Sequence, residues 1–287
     1  MYPVLYELPL PWGMKLPLHG YGFMIVIGFL LACYVSTREA RRRGMSDFVY
    51  DLGLVMLLSG LFGGRLLYYL ENYNDQYASA SWLEFFKIWK GGLVFYGGAI
   101  TGVIGAWLFL RKRKLPLAES FDVISVGAPI AMAFGRLGCF LNGCCYGKLC
   151  DPDFIFGVTF PAKSPVEQSQ RFHGLLDGSA VSTLPVQPVQ LYQAGHDFLL
   201  AGLLLWYLRR PDTPRGAGIP LLFTLYGVGR FCLESLRADN APTFSGLTIS
   251  QNFSLVLVLA FGSVTLFLLF NSRKQLRAGE DFPKEIR

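Results

Sequence analysis

Three arginines interrupt segments that otherwise have the apolar character of membrane spans: Arg65 in GLFGGRLLYYL, Arg136 in AMAFGRLGCFLNG and Arg230 in FTLYGVGRFCLESL. A guanidinium at the centre of a bilayer costs about 2.5–3.5 kcal/mol on insertion scales, so it persists where protein or a polar cavity surrounds it. A chain built this way is expected to hold an anionic group at membrane depth.

Composition agrees, because 52% of the 287 residues are apolar and only 16% are charged, against about a quarter charged in soluble domains. Apolar stretches of span length fall near Tyr21–Ser36, Tyr50–Leu70, Leu93–Leu110, Phe121–Leu141, Val189–Leu208, Ile219–Leu236 and Ile249–Phe270. The expected fold is an all-α integral membrane protein with seven transmembrane helices. Sixteen Lys and Arg residues follow the odd-numbered spans (Arg38 to Arg43, Arg111 to Lys114, Arg209 to Arg215 and Arg273 to Arg287), whereas seven lie in the other loops. The positive-inside rule then puts the N-terminus outside and the C-terminus in the cytoplasm. The net charge of +6 is mostly this topological signal, with an added attraction for anionic lipid heads, and gives no support to nucleic-acid binding. The first 20 residues lack the pattern of a cleavable signal peptide, so the first span is expected to act as its own insertion signal.

The whole chain, 1–287, reads as a single membrane domain. One large insertion, 146–187, separates spans 4 and 5, and 271–287 forms a charged cytoplasmic tail. Polar loops of this length serve either as functional lids or as tolerated surface insertions. No fixed-period repeat supports a repeat-built transporter. The 32 glycines gather near Arg65, Tyr96 and Arg136, where they allow close helix approach in lipid or open backbone to a ligand.

Helical spacing sorts the remaining polar groups. Tyr226, Arg230, Glu234 and Arg237 fall on one stripe, where Glu234 either neutralises Arg230 or orients it for a ligand. Arg65 lies one turn from Tyr68 and Tyr69, an arrangement suited to the outer interface. The segment Gly135-Arg136-Leu137-Gly138-Cys139-Phe140-Leu141-Asn142-Gly143 combines a guanidinium fork, an amide and glycine-exposed backbone, a combination suited to gripping phosphate.

With this segment the chain resembles the prolipoprotein diacylglyceryl transferases, bacterial inner-membrane enzymes that move a diacylglyceryl group from phosphatidylglycerol to the lipobox cysteine of a preprolipoprotein. The matching pieces occur in order: His19-Gly20-Tyr21-Gly22, Gly63-Gly64-Arg65, Gly91 through Gly98, Arg136 through Gly147, Pro188-Val189-Gln190-Leu191-Tyr192, Tyr226 through Arg237, and Ser250-Gln251. The resemblance implies a seven-helix bundle with a small periplasmic head, no cofactor, and phosphatidylglycerol and lipoprotein precursors as partners. It implies Arg136 and Arg230 as catalytic residues and Arg136, Tyr21, Asn142 and Gly147 as substrate-binding residues; the residues themselves add Tyr96 to the catalytic set, and Glu234 and Arg65 to the substrate-binding set.

Three departures from the family pattern bear on mechanism. Tyr96 stands where many members have a histidine, Cys139 and Cys144 replace an asparagine and a glutamate around Asn142, and Gln193 replaces the glutamate that often follows the Leu-Tyr pair. Tyrosine, with a pKa near 10, is a poor base at neutral pH. A thiol beside arginines ionises more readily than a free one, so Tyr96 is expected to position a substrate group while the arginines supply the electrostatics. Cys139, Cys144, Cys145 and Cys150 cluster in sequence, but an adjacent pair and three scattered histidines (His19, His173, His196) fit zinc spacing poorly. No metal is expected; a disulfide, with Cys150 among the candidates, is one alternative in an oxidising compartment, and otherwise these cysteines are small packing residues. A rhomboid-type protease is excluded because Ser59, Ser125 and Ser250 lack a nucleophile setting. An anion or lipid-head-group transporter or channel is the remaining rival, since it too would use inward-facing arginines.

Overall fold

The long apolar runs fold as helices, and their ends fall where glycine, proline or charge interrupts the run. A computed structural model describes residues 4–9, 15–77, 82–87, 91–176, 181–238, 243 and 245–277. Its helices are α1 (Gly20–Arg42), α2 (Val49–Glu71), α3 (Phe95–Lys112), α4 (Leu117–Asn142), a short α5 (Pro165–Phe172), α6 (Val189–Leu208), α7 (Gly218–Glu234) and α8 (Ile249–Arg277). Seven of these coincide with the expected apolar stretches to within a few residues at most ends. Among the described residues, α1, α2, α4 and α8 are long and apolar enough to cross a membrane. The all-helical expectation omitted an antiparallel hairpin, β1 (Val4–Pro9) with β2 (Lys15–His19). The end of the charged tail, 278–287, lies outside the described residues.

The helices leave large apolar side chains on their outer faces, among them Leu58 and Phe62 on α2, Ile100 and Val103 on α3, and Leu259 and Phe267 on α8. Apolar surface on this scale requires a nonpolar solvent rather than water, and the chain is a membrane protein.

Two compact units are distinguished, one formed by Met1–Val35 and Asp122–Arg287, the other by Ser36–Phe121. In the second unit, α2 and α3 meet through glycine. A Cβ added at Gly98 would lie 2.9 Å from the Gly60 carbonyl oxygen, and one at Gly97 would strike the Gly63 carbonyl. Such proximity lets Thr101 Oγ1 donate to the Ser59 carbonyl at 2.7 Å across the pair, the kind of small-residue contact that holds helices together in lipid.

In the first unit, α1 lies against α4, where a Cβ at Gly28 would meet the Phe134 Cβ at 2.6 Å and one at Gly138 would meet the Tyr21 ring at 3.0 Å. Val126, Leu200, Leu204, Leu208 and Leu222 form a buried cluster joining α4, α6 and α7. The buried carboxylate of Asp122 accepts from the Gly216 and Gly218 amides at 2.9 and 2.7 Å, meeting the unpaired donors at the start of α7. Helices α7 and α8 approach at Gly227, whose Cβ would lie 3.1 Å from the Ser254 carbonyl oxygen.

The segment between α4 and α6 folds onto a small core of its own, Phe160, Val166 and Val186. Ser164 caps α5 by accepting from the Glu167 amide, and Glu167 reaches back to the Lys163 amide, a variant of the reciprocal cap that starts helices. Single backbone bridges, Leu149 and Val158 with Val186 and Gly147 with Arg237, tie this head to the entry of α6 and the end of α7.

The α2–α3 contact leaves no space for a side chain. Gly97→Ala is expected to lower stability by about 1–3 kcal/mol, the usual cost of overpacking, as an earlier thermal unfolding transition in detergent. Gly195→Ala on α6, where an added Cβ meets nothing within 4 Å, is expected to leave the transition in place or raise it.

Candidate active site

The end of α4 is built by a specific chain reversal. Gly143, with φ of 73°, donates to the Phe140 carbonyl at 3.2 Å, and Cys144 donates to the Cys139 carbonyl at 3.1 Å. This is the paired-bond pattern of a Schellman stop, which needs a left-handed residue at the position after the cap. Asn142 is the cap residue. The same motif sets the side chains of its third-last helical residue and its second following residue side by side; here these are Cys139 and Cys144. Cys145 follows in the left-handed region, with φ of 60°, and the three sulfurs lie within 4.8 Å of one another. The Cys145 thiol is held below the usual thiol range by hydrogen bonds from Cys139 and Cys144, with the Arg237 and Arg136 guanidiniums adding to the effect.

Arg136 sits one turn before Cys139 on α4. It shares a small pocket with Gln193, His196 and Asp197 of α6 and with Tyr226, Arg230 and Leu233 of α7. The two expected arginines therefore come from different helices and meet one hollow. Among the described residues Arg136 has no hydrogen bond or ion pair. Arg230 is held by its Nη2, which pairs with Glu234 Oε2 at 2.8 Å and donates to Ser250 Oγ at 3.1 Å; its Nη1 is buried without a hydrogen-bond partner. Glu234, 2% exposed, also accepts from Thr248 Oγ1 at 3.0 Å, and Arg237 Nε lies 3.9 Å from the same carboxylate. The stripe read from helical spacing is thus observed as a buried ionic network.

On its other side this network faces a cleft of about 660 Å³. Gly147, Lys148, Gln170 and His173 of the head line it, together with Glu234 and Arg237 at the end of α7. Gly147 is confined here, since a Cβ would lie 2.6 Å from the Gln187 carbonyl oxygen. Across the small pocket and the cleft, four cationic side chains (Arg136, Arg230, Arg237 and Lys148) stand against two carboxylates, Asp197 and Glu234. Tyr21 contributes from α1, where it packs on Gly138.

Helix α6 adds residues that sequence reasoning left out of the site. His196 is turned toward Asp197, with Nδ1 3.1 Å from Oδ1, and both Gln193 side-chain polar atoms are buried without a partner. Buried groups left this way carry a desolvation cost of about 1–3 kcal/mol each, the mark of a position that a ligand completes. The signal was present in the spacing of Gln190, Gln193 and Asp197, three polar residues on one face of an otherwise apolar helix.

Arg65 and Tyr96 belong to the second unit. Arg65, 2% exposed, donates to main-chain carbonyls: Nε to Phe85 at 2.8 Å, Nη1 to Gly91 at 2.7 Å and Gly92 at 3.1 Å, and Nη2 to Glu84 at 2.8 Å. The Tyr68 and Tyr77 rings lie 5.6 and 5.9 Å from its guanidinium carbon, within cation–π range. Tyr96 is in the first turn of α3 and is 57% exposed.

A family model described as prolipoprotein diacylglyceryl transferase matches residues 9–268. The phosphatidylglycerol–prolipoprotein diacylglyceryl transferase of Clostridium tetani is 34% identical over 96% of this chain and all of its own length. The enzyme of the same name from Acinetobacter baylyi is 33% identical over 90% of each chain, and that of Shigella boydii is 31% identical over 90% of this chain and 91% of its own. The chain belongs to the prolipoprotein diacylglyceryl transferase family.

Proposed function

We propose that this protein transfers the diacylglyceryl group of phosphatidylglycerol to the lipobox cysteine of preprolipoproteins in the bacterial inner membrane, releasing glycerol phosphate. The observation that carries this reading is the pair of arginines from α4 and α7 lining one pocket, with Arg136 unengaged and Arg230 Nη1 unbonded among the described residues. The activity for which the relatives are named points to the substrates. The pocket has a free volume of about 10 Å³, so a phosphodiester enters only as it widens; once there it satisfies the vacant donors and balances the excess of positive charge. All seven long helices act as spans in this reading, with the head and the N-terminus on the outer side, as the loop charges indicate.

The reaction needs three things from the protein. The first is a grip on the phosphate: Arg136 and Arg230 supply fork-shaped donors, and Glu234 fixes Arg230 so that its Nη1 keeps one orientation. The second is stabilisation of charge that grows on the departing phosphate oxygen as the thiolate sulfur attacks the glycerol carbon; a well-aimed donor contributes about 3–4 kcal/mol there. The third is access for the precursor, for which the 660 Å³ cleft beside Glu234 has the size of a ligand site. Tyr21, Asn142 and Gly147 shape its approach, and Tyr96 positions the phosphate or the thiol. Arg65 serves the substrate by holding Glu84, Phe85 and Gly91 through their carbonyls.

Incubation of the purified protein with phosphatidylglycerol and a lipobox peptide is expected to add one diacylglyceryl mass to the peptide, and Arg136→Ala to lower the rate at least a hundredfold. An unmodified peptide, with the phospholipid instead moving between vesicle leaflets, would favour a transporter.

Glu234→Ala leaves Arg230 buried without its counter-charge. Breaking such a pair costs about 3–5 kcal/mol, so the variant is expected to unfold earlier and to lose turnover, whereas Glu234→Gln keeps the fold and loses part of the turnover. Tyr96→Phe is expected to retain lipid binding and measurable turnover. Complete loss of turnover with intact lipid binding would assign Tyr96 to proton transfer instead.

A further inference from the structure

The three thiols at the end of α4 have no part in the mechanism above, yet the backbone brings them together by construction. The Schellman stop pairs Cys139 with Cys144, and Cys145, itself left-handed, follows onto the same point, giving three sulfurs within 4.8 Å of one another. A disulfide would use two of the three and leave the convergence of the third unexplained.

We propose that Cys139, Cys144 and Cys145 form a three-thiolate site for a soft d10 cation, Zn2+ in the first instance, whose fourth position is open to the thiol of the lipoprotein precursor. Zinc–sulfur bonds of about 2.3 Å put tetrahedral sulfurs about 3.8 Å apart, so closing the site takes side-chain adjustments of no more than about an ångström. Sulfur donors select Zn2+ and Cu+ over hard cations. Zinc sites with three protein ligands and one vacancy are of the kind that accept a substrate. Zn2+ with three thiolates carries one net negative charge, and its surroundings suit that charge: Arg136 lies one turn before Cys139, and Arg237 bridges to Gly147, two residues after Cys145.

The site deepens the transferase reading and rests on it. A thiol bound to zinc is deprotonated outright, so the precursor's cysteine gives its proton to solvent on binding and stays a thiolate. The sulfur electron pair then forms the C–S bond to the glycerol carbon, the C–O bond breaks, and its electron pair leaves on the phosphate oxygen of glycerol phosphate. No oxidant or reductant enters. The arrangement supplies a thiolate in a chain whose Tyr96 replaces a histidine.

The full-length protein, purified under reducing conditions in detergent, is expected to bind one Zn2+ per chain. Its Co2+-substituted form is expected to show thiolate-to-cobalt charge-transfer bands, which change when a lipobox peptide is added and stay the same with the cysteine-to-serine peptide. Cys145→Ser and Cys139→Ser are expected to weaken Zn2+ binding at least tenfold while unfolding at the temperature of the metal-free wild type, and Cys150→Ser to bind as wild type. Substoichiometric zinc, equal binding by the triple Cys→Ser variant, or a metal-free chain 2 Da lighter through a Cys139 disulfide would each overturn the site. Diacylglyceryl transfer at full rate by chelator-treated, zinc-free protein would overturn its role while leaving the transferase reading intact. Stoichiometric zinc with no peptide modification would separate the two in the opposite direction.

Discussion

A buried guanidinium must be answered by negative charge, and the site is organised by how incompletely that demand is met. Glu234 pairs with Arg230 and has Arg237 close by, while Asp197 faces His196, so among the described residues lining the two pockets no carboxylate is left to engage Arg136. Desolvating three guanidiniums is tolerable only with hydrogen bonds and counter-charge in place. What protein leaves unfilled, a phosphodiester can supply. On this account the affinity for an anionic head group and the stability of the α7 network come from the same electrostatic source, and the glycines at Gly138, Gly147 and Gly227 allow backbone to come close enough to enclose it.

Much of this was legible in the residues. The positions of seven long helices follow from apolar runs alone, and among the described residues four of them have the length and hydropathy of a span. The Arg230–Glu234 pair follows from a four-residue spacing on one helix. The meeting of Arg136 with Arg230 does not follow from either helix, since they lie far apart in sequence and only packing against α6 brings them together. The family motifs indicated both residues, but supplied no partner for them. Gln193, noted as a departure from the family pattern, and His196 were not assigned to the site for the same reason: on α6 they look like isolated polar residues until a pocket forms beside them.

Arg65 shows the opposite limit. Its depth in an apolar segment suggested a ligand, but its donors end on the carbonyls of Glu84, Phe85, Gly91 and Gly92, and backbone acceptors leave no trace in side-chain identity. Gly91 and Gly92, both at positive φ, turn those carbonyls toward it. The cysteines make a similar point about local geometry. Counting the residues between them argued against a metal, whereas the helix stop at Gly143, itself readable as a glycine after an apolar run, dictates that Cys139 and Cys144 meet. Spacing rules for loops do not describe ligands that straddle a helix end.

The central claim is that Arg136 and Arg230 together hold one phospholipid head group by its phosphate. Native mass spectrometry of the protein released from mixed phosphatidylglycerol and phosphatidylethanolamine micelles tests it most directly. The account predicts one retained phosphatidylglycerol per chain, bound in preference to phosphatidylethanolamine and lost when Arg136 and Arg230 are both replaced by glutamine. Equal retention of the two lipids, or retention of phosphatidylglycerol by the doubly substituted chain, would contradict it.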